Sequence, residues 1–140
     1  MRTLAEEAGQ PDEFWSERIV SAAESELDLA LLAKADIHPA GLGCGRIPTP
    51  NGEAAHVLQM WVVPTYRGVG VARILLDEIA AWAATRNARH LVLDVTCGDS
   101  PATRLYARVG FEPVGEPKPL RSGSVLLCQE MQLDLTNRKA

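Results

Sequence analysis

The chain of 140 residues is long enough for one domain with a sizeable buried core that needs no cross-links. Its composition, 46% apolar and 23% charged, is typical of a water-soluble globular protein. A formal net charge of -4 argues against a general nucleic-acid or membrane-surface binder. No apolar run approaches the length of a membrane span. We therefore expect no nucleic-acid partner and no membrane partner.

The three cysteines, Cys44, Cys97 and Cys128, stand singly. An odd count without paired spacing predicts neither a disulfide framework nor a metal site, and a reducing cytoplasm is the simplest location. Residues 1–10 carry acidic side chains and no apolar core, so they predict a short lead and not a signal peptide. Residues 136–140 form a polar tail. A single domain is expected over residues 1–140.

The first half of the chain predicts a helix followed by two strands. Residues 11–25 begin with a proline and two acidic residues, which favour the first turn of a helix. Residues 27–33 and 40–47 are apolar enough for strands. Glycines occupy alternate positions of the second strand, so one face of that strand has no side chains. This pattern indicates either close approach of a substrate or another backbone, or simply a twisted hairpin. These glycines are Gly41, Gly43 and Gly45.

The second half predicts alternating strands and helices. Residues 71–86 carry an apolar stripe at helical spacing, and residues 90–96 are a nearly continuous apolar strand. Ser100 and Pro101 mark the start of a short helix, and Gly110 marks its end. The predicted elements are a strand over 54–63, helices over 71–86 and 102–109, and strands over 90–96, 111–115 and 124–135. This order predicts an α/β fold: a mixed, mostly antiparallel sheet with a central parallel βαβ unit flanked by helices.

A glycine-containing stretch joins the strand over 54–63 to the helix over 71–86. It contains Arg67, Gly68 and Gly70, placed where a strand must turn into a helix. Backbone N–H groups at a helix start lack partners, and the helix dipole makes that end partly positive. Glycines let the backbone close around an anion. The stretch therefore predicts a phosphate cradle.

Two nucleotide-binding motifs can be compared with this cradle. A P-loop is excluded because no Gly-Lys-Ser/Thr follows the glycines. A dinucleotide fold is the fairer competitor, since Gly68-Val69-Gly70 opens a helix and Asp94 lies near the end of the next strand. However, Arg73 occupies the third glycine position, and four residues separate the strand from the first glycine. Dinucleotide binding is therefore a remote alternative.

A third interpretation comes from a family resemblance. The stretch Arg67-Gly68-Val69-Gly70-Val71-Ala72 resembles the Arg/Gln-x-x-Gly-x-Gly/Ala signature of the GNAT superfamily of acetyl-CoA-dependent N-acetyltransferases. Residues 60–64 are similar to that family's fourth strand and its exit, and Leu105-Tyr106 with Gly110-Phe111 resembles its second hallmark. The resemblance implies an N-acetyltransferase that moves acetyl from acetyl-CoA to a primary amine by direct attack in a ternary complex. The alternative is a non-catalytic acyl-CoA-binding or regulatory module on the same fold.

The resemblance also implies the residues that contact acetyl-CoA. Backbone groups of the cradle would hold the pyrophosphate, and the strand before it would pair with the pantetheine arm. Tyr106 would face the sulfur as a proton donor; the structural alternative is a core tyrosine beside Leu105 and Phe111. The remaining implied contacts are Met60, Val62 and Val63 on the strand, and Arg67, Gly68, Val69, Gly70, Val71 and Ala72 in the cradle.

Asp99 departs from the family pattern, which usually has an asparagine at this position. An ionised aspartate only accepts hydrogen bonds. It would therefore accept from a pantetheine amide, or it would support the start of the helix at Ser100. His56 is the first candidate for the base that deprotonates the amine, with Glu53 as the runner-up. The alternative is that His56 is a strand-end histidine with no role. Strand parity predicts that His56 shares a face with Met60 and Val62.

The family's first strand is apparently missing before residue 11. Residues 27–33 would then form an exposed sheet edge unless it is covered. A partner chain would cover it in a homodimer, and a shortened reading frame would explain the absence equally well. The amine acceptor, either a small molecule or a peptide, is not identified by the sequence.

Overall fold

The structure is a computed structural model that describes residues 19–25, 27–35, 38–49, 52–119, 121–123 and 125–136. Its described residues form a seven-stranded sheet with the spatial order β1-β2-β3-β4-β5-β7-β6. All neighbouring strands are antiparallel except β4 and β5, which are parallel. The predicted mixed sheet with a central parallel βαβ unit is therefore confirmed. The strands are β1 (Ile19–Glu24), β2 (Asp28–Ala35), β3 (His38–Arg46), β4 (Ala54–Val62), β5 (His90–Thr96), β6 (Glu112–Pro119) and β7 (Leu127–Asp134).

Two α-helices connect the strands in the second half of the chain. Helix α1 (Val71–Thr85) joins β4 to β5 after a 3₁₀ turn over Pro64–Tyr66, and α2 (Pro101–Val109) joins β5 to β6. Among the described residues, no helix is long and apolar enough to cross a membrane.

The N-terminal prediction is wrong for residues 19–24. They form β1, which pairs antiparallel with β2, whereas the sequence predicted a helix through residue 25. The connection is a tight turn in which the Asp28 N–H donates to Ser25 Oγ at 3.1 Å and the Ser25 N–H donates to the Asp28 carbonyl at 2.9 Å. The expected exposed edge at 27–33 is therefore paired with β1. Residues 11–18 of the predicted helix, and the region where a further family strand would lie, are outside the described residues.

The alternating glycines of β3 let helix α1 approach the sheet closely. A Cβ atom on Gly43 would lie 3.3 Å from Ile79 Cδ1, and one on Gly41 would lie 3.0 Å from Val71 Cγ1. The close neighbour that the glycine pattern indicated is thus the apolar stripe of α1. Leu75 and Ile79 of that stripe are fully buried against β3. Burial of this kind contributes roughly 25 cal/mol per Å² of apolar surface, so α1 is a rigid base for the turn before it.

Strand β4 parts from β5 at a β-bulge. Cys44 of β3 pairs with Gln59 and Gly45 pairs with Val57, which leaves Leu58 as the extra residue. The parallel pairing of β4 with β5 covers only residues 54–56 of β4 and 90–92 of β5, although β4 continues to residue 62. A bulge bends its strand and increases the local twist. The last part of β4 consequently has an edge that β5 does not cover.

The bulge also reverses the predicted facing of His56. His56 pairs with Arg46, whereas Met60 pairs with Gly43 on the α1 face. Positions 43 and 46 of β3 have opposite parity, so their side chains point to opposite faces of the sheet. The prediction that His56 shares a face with Met60 and Val62 is therefore wrong, because one extra residue lies between them.

Helix α2 begins and ends where the sequence predicts. Ser100 Oγ accepts a hydrogen bond from the Thr103 N–H at 3.2 Å, and Thr103 Oγ1 accepts one from the Ser100 N–H at 2.9 Å, which forms a capping box. Gly110 ends the helix with φ of 116°, a left-handed conformation that favours glycine. No residue of α2 is fully buried. One side of the helix is instead turned toward an open cleft.

The β6–β7 hairpin differs in length from its prediction. Strand β6 extends to Pro119 instead of ending at residue 115, and β7 begins at Leu127 instead of residue 124. The register of β6 shifts between Val114 and Lys118. There the Gln129 side chain donates to the carbonyls of Val114 and Gly115, at 3.0 and 3.3 Å. These bonds occupy carbonyls that the shifted ladder leaves open.

Candidate functional site

A cleft of about 740 Å³ lies between the end of β4 and helix α2. One wall is formed by Met60, Trp61 and Val62 of β4, and the other by Ala102, Leu105 and Tyr106 of α2, among others. The turn that carries Arg67 and Gly68 and the first residues of α1 form one end of the cleft. The cleft is where β4 has separated from β5, so a strand edge, a helix start and a second helix all face one space.

The N-terminus of α1 opens into this cleft without a side-chain cap. Gly70 stands at the N-cap in a left-handed conformation, with φ of 95°, and has no side chain that could satisfy the first N–H groups. Within the described part of the chain, no backbone carbonyl accepts from the N–H groups of residues 71–73. The first hydrogen bond of the helix runs from the Ile74 N–H to the Gly70 carbonyl at 3.1 Å. Unpaired N–H groups and the helix dipole make this end suitable for an anion.

Gly68 leaves room for such an anion. Its φ is +83°, and a Cβ built there would meet no atom within 4 Å. The space beside the turn is therefore open, as a phosphate cradle requires. The residues present fit the pyrophosphate group that the family resemblance implies for this turn.

The end of β4 offers backbone groups to the cleft. The Val63 N–H donates to the Ala40 carbonyl of the neighbouring chain segment at 2.8 Å, and the Val63 carbonyl accepts from the Tyr66 N–H at 2.8 Å. Backbone groups of successive strand residues point to opposite edges. Met60 and Val62 consequently present theirs to the uncovered edge, where Arg67 Nε donates to the Val62 carbonyl at 3.1 Å. Both backbone groups of Val63 are already occupied by protein partners.

Tyr106 lines the α2 wall with its ring packed against Phe111. The two ring centroids are 5.7 Å apart and the rings are tilted by 59°. Partial burial raises the pKa of the Tyr106 phenol. The phenol is therefore protonated at neutral pH and is able to donate a proton or a hydrogen bond into the cleft.

Three arginines contribute positive charge to the cleft: Arg67, Arg73 and Arg108. Arg73 Nε lies 3.3 Å from an oxygen of Asp77, one turn further along α1. The Arg67 bond to the Val62 carbonyl holds its side chain along the end of β4. Arg108 lies in the last turn of α2. A ligand with several negative charges would meet cations from both walls.

Eight of the twelve predicted site residues line the cleft, and the side chains of the other four do not. The Val69 side chain is buried at 2% exposure, although its backbone lies in the cradle turn, and Val63 is not a lining residue. The Asp99 carboxylate pairs with Arg104 Nη1 at 2.7 Å, and its side chain is 81% exposed. His56 is half-buried on the sheet face opposite α1. The eight at the cleft are Met60, Val62, Arg67, Gly68, Gly70, Val71, Ala72 and Tyr106.

Sequence reasoning predicted only Tyr106 among the five α2 residues that line the cleft. Leu105 and Arg108 follow Pro101 at intervals of four and three residues, so the three lie on one stripe of the helix and all line the cleft. That spacing was visible in the sequence, but only the position of the cleft shows which stripe faces it. Trp61 was also missed as a lining residue, because it alternates with Met60 and Val62 and lies beyond the bulge.

The fold and the cleft together define a class of transferase. A seven-stranded sheet that splays beside an uncapped helix start is suited to a long ligand that carries a phosphate group at one end. The acetyltransferase (GNAT) family model matches residues 2–111, which is most of the chain. The chain belongs to this family, and the resemblance seen in the sequence is confirmed. Acetyl-CoA is the typical donor in the family.

Individual relatives agree with this assignment. Streptothricin acetyltransferase from Streptomyces lavendulae is 40% identical over 63 residues, which are 45% of this chain and 33% of that protein. The matched region thus spans about a third of that curated relative. The crystal structure of nourseothricin acetyltransferase is 28% identical with a TM-score of 0.69, covering 77% of this chain and 65% of that chain. The structure of yncA from Salmonella typhimurium with its cofactor acetyl-CoA has a TM-score of 0.67 at 19% identity, over 81% of this chain and 68% of that one.

Proposed function

We propose that the protein is an N-acetyltransferase that transfers acetyl from acetyl-CoA to a primary amine by direct attack in a ternary complex. The observation that carries the proposal is the continuity of the cleft. It extends from the uncapped start of α1 along the uncovered edge of β4 to Tyr106. An anion site, a strand edge and a proton donor therefore lie along one path.

The donor half of the site is assigned to backbone groups. The N–H groups of residues 68–72 would hold the pyrophosphate, with Gly68 leaving the necessary space. The backbone groups of Met60 and the Val62 N–H would hydrogen-bond to the pantetheine arm as a neighbouring strand would. The Val62 carbonyl already accepts from Arg67 Nε. Val63 is left out of this assignment, because its N–H and carbonyl are occupied by Ala40 and Tyr66.

Tyr106 is proposed as the donor of a proton or hydrogen bond to the departing sulfur. Acetyl-CoA supplies a thioester whose sulfur leaves as a thiolate or thiol. A phenol that stays protonated at neutral pH is able to stabilise that negative charge, and burial keeps Tyr106 in this form. Its contact with Phe111 fixes the ring against the α2 wall.

The amine is proposed to approach from the sheet face opposite α1. His56 lies on that face at the last position where β4 pairs with β5, opposite Val92. Two residues further along β5, Asp94 lies on the same face and is paired in register with Glu130 of β7. His56 is thus retained as the proposed base, and the two carboxylates would attract a protonated amine. These placements follow from strand register.

An amine-bearing antibiotic is the acceptor class that we would test first. Two relatives at 40% and 28% identity are streptothricin acetyltransferase and nourseothricin acetyltransferase. The match to streptothricin acetyltransferase covers 63 residues, and family membership alone does not assign the acceptor. The Asp94 and Glu130 carboxylates are compatible with a cationic acceptor.

The test is release of free thiol from acetyl-CoA in the presence of streptothricin and a panel of simple primary amines. Amine-dependent thiol release, with an acetylated amine found by mass spectrometry, is the expected result. Binding of acetyl-CoA without release with any amine would favour the non-catalytic acyl-CoA module. A rise in melting temperature with NADH but not with coenzyme A would favour dinucleotide binding. A cytoplasmic location stays a prediction from the unpaired cysteines.

A further inference from the structure

Arg108 is a cleft residue that the proposed chemistry does not use. It lies on the same stripe of α2 as Pro101 and Leu105 and lines the cleft from the wall opposite the α1 start. Among the described residues no acceptor or carboxylate is bonded to it, and it is not one of the residues with an unspecified partner. A flexible cation therefore faces the cleft without a protein anion to neutralise it.

The other arginines around the cleft are each engaged with a protein group. Arg67 donates to the Val62 carbonyl, and Arg73 is close to Asp77. Arg104, one turn before Arg108 on the same helix, is paired with Asp99 at 2.7 Å. Like charges at positions i and i+4 of a helix repel by a few tenths of a kcal/mol. The ion pair relieves that repulsion at Arg104, whereas Arg108 keeps its charge available.

The expected ligand carries negative charge in two separate places. Coenzyme A carries a pyrophosphate and, in addition, a phosphate on the 3′-oxygen of its ribose. The backbone cradle is on the wall formed by the turn and α1, while Arg108 projects from the exposed side of α2. A guanidinium forms bidentate bonds to a phosphate and is suited to a group at the solvent-facing rim.

We propose that Arg108 binds the 3′-phosphate of coenzyme A and so makes the enzyme discriminate coenzyme A from its 3′-dephospho form. This inference depends on the proposed function, because it presupposes that the cleft binds coenzyme A. It assigns a separate subsite to the α2 wall, distinct from the pyrophosphate cradle at residues 68–72. The competing explanation is that Arg108 only complements the dipole at the C-terminal end of α2. In that case it would affect stability and not ligand choice.

The test compares two ligands and three variants by isothermal titration calorimetry at fixed ionic strength. The ligands are coenzyme A and 3′-dephospho-coenzyme A. The variants are Arg108→Ala, Arg108→Lys and the matched control Arg104→Ala, which removes the same charge one turn earlier at a residue that does not line the cleft. Thermal unfolding without ligand is measured for each variant, so that a loss of folding is separated from a loss of affinity.

The wild-type protein should bind coenzyme A about tenfold more tightly than the dephospho form, the size expected for one charge-assisted contact. Arg108→Ala should lose that preference by weakening only coenzyme A binding, Arg108→Lys should keep part of it, and Arg104→Ala should keep it all. Equal weakening for both ligands would place Arg108 at the pyrophosphate and overturn the proposal. Unchanged affinity for both would also overturn it. If the wild-type protein bound the dephospho form well but without preference, only this inference would fail; if it bound neither, the proposed function would fail as well.

Discussion

The Tyr106 ring lies 5.7 Å from the Phe111 ring, centroid to centroid, at a tilt of 59°. This contact joins the α2 wall of the cleft to the residue that follows the helix. Phe111 is buried at 4% exposure, so it anchors a side chain that is itself only partly buried. The hydroxyl of Tyr106 is thereby held at the cleft while its ring belongs to the core.

Removing only this hydroxyl tests its catalytic role without changing the packing of the ring. Tyr106→Phe keeps the ring and its contact with Phe111, so we expect an unchanged melting temperature. If the phenol donates to the departing sulfur, kcat should fall roughly 10²-fold, while the KM for acetyl-CoA should change less than about twofold. Steady-state kinetics of thiol release checks both values. An unchanged kcat would remove Tyr106 from the mechanism.

Alkaline stability should also depend on Tyr106. Burial raises the pKa of this phenol in the folded state above its usual value, so the folded protein holds the proton more tightly than the unfolded chain does. As pH rises past about 10, the unfolded chain loses protons first, and the free energy of unfolding decreases. Below that pH the group adds no pH dependence. Urea unfolding from pH 9 to 11 should therefore show a shallower loss in Tyr106→Phe than in the wild type. Identical slopes would contradict the burial argument.

Gly68 offers a test of the phosphate cradle with a close internal control. Its φ of +83° is nearly that of Gly123, at +80°, and a Cβ at either position would meet no atom within 4 Å. Alanine at each position should therefore cost about 1 kcal/mol of stability through backbone strain alone. Only Gly68→Ala places a methyl group beside the uncapped start of α1. We expect that variant to bind coenzyme A about tenfold more weakly, and Gly123→Ala to bind it normally, by calorimetry. Equal affinities would mean that the turn does not hold the phosphates.

The glycines of β3 should differ in their tolerance of a methyl group. A Cβ on Gly41 would lie 2.8 Å from the Trp61 backbone carbonyl, which has no freedom to rotate away. A Cβ on Gly43 would lie 3.3 Å from Ile79 Cδ1 and from Met60 Sδ, the flexible ends of two side chains. We expect Gly41→Ala to lower the free energy of unfolding by about 2–3 kcal/mol and Gly43→Ala by less than about 1 kcal/mol. Urea denaturation measures both; a larger cost at Gly43 would contradict the packing described for α1.

Local sequence signals correctly predicted those elements whose start and end depend on a few neighbouring residues. Ser100, Pro101 and Gly110 define α2, and the apolar run of residues 90–96 defines β5 with the observed bounds. Residues 19–24 were wrongly predicted as helix because their state depends on pairing with β2, a non-local interaction that propensity does not describe. Ile19 and Val20, both β-branched, were the available signal for a strand.

The candidate site shows the same division between local and non-local information. The cradle of Gly68 and Gly70 was visible because an anion site at a helix start needs only local sequence. The bulge at Leu58 was not visible, and without it His56 was assigned to the wrong face. Asp99 was considered in relation to the ligand or the Ser100 cap, whereas its carboxylate is paired with Arg104, whose position depends on the turn of α2.

The proposed base gives a prediction that distinguishes His56 from Asp94. A base that takes the proton from the amine acts in the chemical step, whereas a carboxylate that attracts a cationic amine acts in binding. His56→Gln should therefore lower kcat by roughly 10²-fold and change the KM for the amine by less than about twofold. Asp94→Asn, on the same sheet face, should instead raise the KM for a cationic amine and leave kcat nearly unchanged. Steady-state kinetics of thiol release for the two variants and the wild type provide the measurement. If His56→Gln kept the wild-type kcat and Asp94→Asn lowered it, the base would be the carboxylate, and His56 would have no catalytic role.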